Sequence, residues 1–158
     1  MTSDSTSGGV QTISVSKRGD GGADTQSALE QIAANAWAEA GTGDDSQPEG
    51  KTHYPAIFLS DIHLGTKDCQ AELLLDFLKH HTCERLYLVG DIIDGWRLKK
   101  KFYWPSAHND IVWRIMKRAK RGTRIVYIPG NHDEMFRQFT GLNFGGVEIR
   151  RAAFHDDP

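Results

Sequence analysis

Leu86-Tyr87-Leu88-Val89-Gly90-Asp91-Ile92-Ile93-Asp94 is the stretch on which the fold of this chain turns. Four apolar residues run up to a glycine and then to two carboxylates. A short apolar run closed by turn residues reads as a buried strand, and the polar residues behind it mark the strand's carboxyl end. The same arrangement occurs twice more. Ala56-Ile57-Phe58-Leu59 leads into Ser60-Asp61-Ile62-His63, and Ile125-Val126-Tyr127-Ile128 leads into Pro129-Gly130-Asn131-His132-Asp133. A last short strand is expected over Val147–Ile149.

Between these runs the apolar period changes from strand-like to helical. Leu74, Phe77 and Leu78 share one helix face between Cys69 and His81. Between Ser106 and Arg121, Ile111, Val112, Ile115, Met116 and Ala119 form a second stripe. Arg114, Lys117, Arg118 and Arg121 fall roughly opposite that stripe, and Gly122 suits the C-terminal cap. Strand, helix, strand, helix, strand implies right-handed crossovers and a parallel sheet. Strands this continuously apolar are expected to be covered on both faces. The class is α/β, and no internal repeat points to a solenoid.

Composition narrows the choice of class. The chain has 158 residues, a net charge of −2 and a hydrophobic fraction of 39%. No apolar run is long enough to span a bilayer, and the Ser/Thr/Gly-rich start does not resemble a secretory leader. Two cysteines make no disulfide framework and fit a reducing compartment. They read as small buried hydrophobes, Cys69 and Cys83 flanking the first helix. The charge is unevenly spread. Residues 1–50 hold two basic against eight acidic residues, whereas 51–158 hold 17 basic against 13 acidic. The first fifty residues are expected to be a disordered acidic tail and linker, since they have too few large apolar residues to offset ordering entropy. One helix is conceivable there, over Ser27–Ala40 around Leu29, Ile32, Ala33 and Trp37. Residues 51–158 are the expected folded part.

In open α/β sheets ligands bind beyond the carboxyl ends of the strands, and here all three ends carry ligating residues. Asp61 and His63 are one residue apart, so on extended backbone both side chains project to one side. Gly90 and Gly130 precede Asp91 and Asn131, where a Cβ would crowd a tight turn. Carboxylate, imidazole and amide oxygen suit Mn²⁺, Fe or Zn²⁺, and the lack of a cysteine at these ends argues against a structural zinc.

Together these motifs, Asp61-x-His63, Gly90-Asp91-x-x-Asp94 and Gly130-Asn131-His132-Asp133, resemble the signature of calcineurin-like metallophosphoesterases. The resemblance implies the N-terminal half of a four-layer αββα sandwich, with 51–158 as a partial domain of that kind. It implies two divalent metal ions, most often Mn²⁺, clamping the attacking and leaving oxygens of an in-line displacement at phosphorus. By that analogy Asp61 and His63 bind the first ion, Asp91 bridges both and Asn131 binds the second. His132 would reach the phosphate or leaving oxygen, with Asp133 as its orienting partner. Asp94 is expected behind the ligands or in the turn.

Gly95-Trp96 after the second motif is unlike protein serine/threonine phosphatases, and Asp94 stands where purple acid phosphatases have a tyrosine ligand. Ser60–Gly65, Gly90–Trp96, Pro129–Asp133 and Leu142–Gly146 are most similar to UDP-2,3-diacylglucosamine hydrolases. That likeness implies cleavage of the pyrophosphate of a UDP-linked diacyl sugar in lipid A synthesis, at the cytoplasmic face of the inner membrane. Some members have Arg after the Asn, where this chain has His132. The family pattern also leads one to expect a further His and a Gly-His-x-His motif beyond Asp133. Neither occurs before Pro158. The chain therefore reads as truncated, expected to hold about one ion weakly and to be either a hydrolase in part or an inactive remnant, with a non-catalytic binding module as a third reading.

Residues Arg97–Arg124 hold ten Lys/Arg against the single acid Asp110, with Trp96, Phe102, Tyr103, Trp104 and Trp113 interleaved. This suits an anionic membrane surface, or nucleic acid, or a solvated helix face with Lys99–Lys101 in a loop. His53, His80, His81 and His108 read as surface or turn histidines, and His155-Asp156-Asp157 as a frayed end.

Overall fold

The computed structural model describes residues 50–156 and the helical positions 27, 30–32, 34–36 and 38. Those helical positions fall within the helix expected over Ser27–Ala40. The disorder expected of residues 1–50 otherwise lies outside the described residues.

Five strands form one sheet in the order β1-β2-β3-β5-β4. They are β1 (Thr52–Leu59), β2 (His81–Val89), β3 (Arg124–Ile128), β4 (Asn143–Phe144) and β5 (Val147–Ile149). β1, β2, β3 and β5 run parallel, and β4 closes the edge antiparallel to β5. Helix α1 (Ala71–His80) connects β1 to β2, while α2 (Gly95–Lys100) and α3 (Ser106–Lys120) lie between β2 and β3. A 3₁₀ turn, Glu134–Phe139, follows β3.

The register sorts the strand residues into rows. Ile57 pairs with Leu86, Leu86 with Ile125 and Ile125 with Val147, and all four are buried. Leu88, Tyr127 and Ile149 make a second buried row. Both rows join α1 and α3 residues such as Leu78, Ile111 and Ile115 in one core. The alternate row, Phe58, Tyr87 and Val126, points to the other face. There Phe58 remains 56% exposed. Among the described residues α1 and α3 cover one face of the sheet, whereas the apolar strands suggested cover on both. The strand order advances in one direction from β1 to β3, so successive right-handed crossovers place α1 and α3 on the same side. Tyr87 is buried nonetheless, because the Phe58 ring stacks on it at 4.6 Å and the His155 ring meets it at 5.5 Å. His155, expected at a frayed end, is held against the sheet by this contact and lies 3.2 Å from the Tyr87 hydroxyl.

Two local expectations also change. Lys99 and Lys100 lie in the last turn of α2 rather than in a loop, because Asp94 caps that helix by accepting from the Arg97 amide. Arg118, placed among the solvated residues, is partly buried. It donates to the carbonyls of Leu78, at 2.5 Å, and His81, satisfying acceptors that the end of α1 leaves open.

Candidate metal centre

Beyond the strand ends the chain continues the sheet's hydrogen bonding into the loops. The Gly90 amide donates to Ile128 O, the Asp61 amide to Gly90 O, and the His63 amide to Asp91 O at 2.9 Å. Leu64 N–H then donates to Ile92 O, and Asp94 N–H to Leu64 O. These bonds lock the first and second loops side by side. The third loop is tied in by the Gly95 amide, which donates to the His132 carbonyl at 2.9 Å, and by a side chain, the His132 amide donating to Asp91 Oδ1 at 3.0 Å. Gly130 sits so close that a Cβ there would lie 2.5 Å from Asp91 Oδ1 and 2.8 Å from the Asp91 nitrogen. Only glycine lets the two loops meet at this distance.

Asp61, His63 and Asp91 offer ligand atoms that all lie within 4.8 Å of one another. They converge, but not by the extended backbone expected of Asp61 and His63. All three have φ of 53°, in the left-handed region. Asp and His enter that region more readily than most residues, yet each costs on the order of 1 kcal/mol there. The interloop hydrogen bonds hold them in it.

His63, Asp94 and His132 form a second cluster of the same tightness. Asp94 is 3% exposed. Its Oδ2 accepts from Nδ1 of both His63, at 3.3 Å, and His132, at 3.1 Å, and its Oδ1 from the Arg97 amide at 2.9 Å. Burial pushes the Asp94 carboxyl up, but the Arg97 amide and the two imidazoles outweigh it, so it is held below the usual carboxylate range. Since a carboxylate only accepts, both imidazoles present Nδ1–H to Asp94 and keep Nε2 free in the neutral form. A carboxylate behind an imidazole is the arrangement that orients a histidine toward a metal. Asp94 is already engaged, so Asp61, His63 and Asp91 are the set that fits a divalent cation. Two carboxylates and an imidazole nitrogen suit a hard or borderline ion. Asn131 is exposed, one residue past Gly130.

Asp133 does not orient His132. It is wholly buried and accepts from the amides of Asp91, at 3.3 Å, Ile92, at 2.9 Å, and Gly130, and from the Tyr127 hydroxyl at 2.5 Å. With so many donors converging on it, the carboxylate turns inward and clamps the second loop to the third. Burial, and the Asp133 charge beside it, keep the Tyr127 phenol protonated. His108, expected at the surface, is also buried. Its Nδ1 accepts from the Gly65 amide at 3.0 Å, tying α3 to the loop that carries His63. By period His108 stands on the same face as Ile111 and Ile115, three and seven residues before them, so the spacing was the signal for its burial. Trp96 was not singled out for the site, yet its ring stacks on His132 at 4.5 Å.

A cleft of about 570 Å³ opens over the cluster. Asp61, His63, Asp94, His132 and Arg97 form its polar wall, facing Leu73 and Leu74 of α1.

The calcineurin-like phosphoesterase family profile matches residues 54–155. The chain belongs to this family. The three strand-end loops and all of the sheet except the first two residues of β1 fall inside that match. Among individual proteins, the chain is 28% identical over 88 residues to a UDP-2,3-diacylglucosamine hydrolase of Neisseria meningitidis serogroup B, covering 53% of this chain and 36% of that protein. It is 32% identical over 80 residues to a protein of the same name from Azotobacter vinelandii, covering 49% of this chain and 32% of that one. The chain thus spans about a third of the length of the curated relatives it matches. No solved structure matches it significantly. Among the described residues no helix is long and apolar enough to cross a membrane.

Proposed function

We propose that this phosphoesterase chain serves a metal-dependent hydrolase that cleaves the pyrophosphate of a UDP-linked diacyl sugar. The observation that carries the reading is the convergence of Asp61, His63 and Asp91 within 4.8 Å, with Asp94 holding His63 from behind. The relatives named as UDP-2,3-diacylglucosamine hydrolases support the choice of substrate. Asp61, His63 and Asp91 would hold one cation, with Asn131 and Asp91 reaching a second. Divalent ions bound there, Mn²⁺ foremost, would supply charge neutralisation at phosphorus and an activated water. In its imidazolium form His132 would donate Nε2–H to a phosphoryl or leaving oxygen while Nδ1–H stays on Asp94, which fixes the ring that does so. Arg97, on the cleft wall, supplies a cation for a second phosphate.

The chemistry is tested by turnover in Mn²⁺ of UDP-2,3-diacylglucosamine against bis(p-nitrophenyl) phosphate and single-stranded DNA. Release of UMP with a preference for the nucleotide sugar supports the reading. A preference for DNA replaces it with a nuclease, and no turnover of any of the three in Mn²⁺ defeats it.

We further propose that the rim of the site meets an anionic lipid surface at the cytoplasmic side of the membrane. Exposed Trp96 and Phe102 flank Lys99, Lys100 and Lys101, and rings beside cations suit headgroup depth. The rest of the basic segment is less available, because Arg118 serves α1 and Arg124 pairs with Glu148 at 3.0 Å. Sedimentation with phosphatidylglycerol vesicles, but not phosphatidylcholine vesicles, is the expected result; equal recovery with both would remove this part.

A further inference from the structure

We propose that Trp96 is a positioning residue for His132, the face support that completes a three-residue grip on that histidine. The inference rests on the hydrolase reading for its kinetic consequence and on geometry alone for the grip itself. Three consecutive residues at the start of α2 each hold His132 by a different atom. Asp94 accepts from Nδ1 at 3.1 Å, Gly95 N–H donates to the His132 carbonyl at 2.9 Å, and the Trp96 indole lies over the ring at 4.5 Å with 30° between the planes. The approach at Gly95 is close enough that a Cβ there would lie 3.0 Å from the His132 carbonyl oxygen.

Each contact removes a different freedom. The backbone bonds, with Asp91 Oδ1 on the His132 amide as the other, fix where the side chain starts. The Asp94 bond fixes one ring atom but leaves the ring able to swing about it, because the torsion at an imidazole is broad. A flat ring against its face closes that motion, and the edge of His63, 4.9 Å away at 89°, closes it from another side. Burial does not explain where Trp96 sits, since 46% of it is exposed. A tryptophan recruited for the core would be covered. This one stays half exposed and lays its ring on a histidine of the cleft wall.

The grip is read directly by NMR of the metal-free full chain, through the histidine ring C–H correlations, with His132 assigned by loss of its signal in His132→Gln. In the wild type the indole ring current shifts the His132 ring protons upfield. Trp96→Leu moves them downfield toward ordinary positions, and Trp96→Phe, which keeps a flat ring, moves them less. In Mn²⁺, Trp96→Leu lowers kcat about tenfold, at the lower end of what orienting partners contribute, while KM stays nearly unchanged and Trp96→Phe recovers most of the rate. Unmoved His132 signals in Trp96→Leu overturn the proposal, as does a Phe variant as impaired as the Leu variant. A wild type that hydrolyses nothing yet shows the ring-current shift defeats the hydrolase reading and leaves the grip standing.

Discussion

The carboxylate of Asp94 lies 3.1 Å from Nδ1 of His132, a residue 38 positions away on a different loop. Because the same oxygen also receives His63, one buried side chain sets the orientation of two imidazoles. Asp94→Asn is therefore expected to lower kcat about 10–100-fold, while retaining an oxygen that caps α2. Asp94→Ala should lose the rate and also about 1 kcal/mol of stability with the cap. Steady-state kinetics and urea denaturation of both variants check this pair of outcomes.

Asp133 has the opposite profile, since its carboxylate serves the fold. Asp133→Ala leaves the Asp91, Ile92 and Gly130 amides and the Tyr127 hydroxyl without their acceptor. A loss of roughly 3–5 kcal/mol is expected, as for breaking a buried charged network. Tyr127→Phe removes a single one of these bonds and should cost about 1.5–3 kcal/mol. Denaturation midpoints that rank the two variants the other way would contradict the clamp.

Gly130→Ala tests the contact between the second and third loops. The new methyl would meet Asp91 Oδ1 at 2.5 Å, and the Asp91 nitrogen and Gly90 Cα at 2.8 and 2.9 Å. Two of these are backbone atoms with no room to retreat. Overpacking of this kind costs about 1–3 kcal/mol, and here the displaced group is a proposed metal ligand. Reduced thermal stability together with weaker Mn²⁺ uptake by calorimetry is the expected result.

Burial holds the His108 imidazole below its ordinary range, so it stays neutral and accepts from Gly65. Its folded value lies below its unfolded value. Above about pH 6.5 both states are neutral and the group exerts no pH dependence. As pH falls below that point the unfolded chain protonates first and stability drops, by up to about 1.4 kcal/mol per pH unit. The drop ends once pH passes the lowered folded value. His108→Asn, which cannot titrate, should lack this step, visible as a difference between the two stability–pH curves.

Metal should stabilise the chain through Asp61, His63 and Asp91. At a free Mn²⁺ concentration one hundred times the Kd, linkage gives about 2.7 kcal/mol. The gain should vanish with EDTA and in Asp91→Asn, which removes a charge from the centre of the ligand set. Differential scanning calorimetry with and without Mn²⁺ decides it.

Much of the frame is written in local pattern. Ile57, Leu86 and Ile125 sit in apolar runs that could only be strands, and Ile111 and Ile115 in a stripe that could only be a helix face. Asp61, His63 and Asp91 are legible as candidates because they end those strands. Less legible is what a residue does once neighbours arrive. Asp133 follows His132 in sequence but turns away from it, and Asp94, from another loop, takes its place. His108 shares the period of Ile111 and Ile115, but its polar ring hides a burial that the Gly65 amide makes possible, and Arg118 lies on the nominally wet side of its helix until α1 packs beside it.

The amino-acid order alone determined where β1, β2 and β3 end, that these three lie parallel, and which side chains stand at their carboxyl ends, since these follow from neighbours a few residues apart and from chain handedness; it did not show the antiparallel β4 or the early halves of β1 and β2. Tertiary structure alone decided which carboxylate faces which imidazole, that Asp61, His63 and Asp91 adopt left-handed backbone, and that Trp96 covers His132. Those choices depend on hydrogen bonds and contacts between loops some 30 to 40 residues apart, whose geometry exists only after the sheet has brought the strand ends into line.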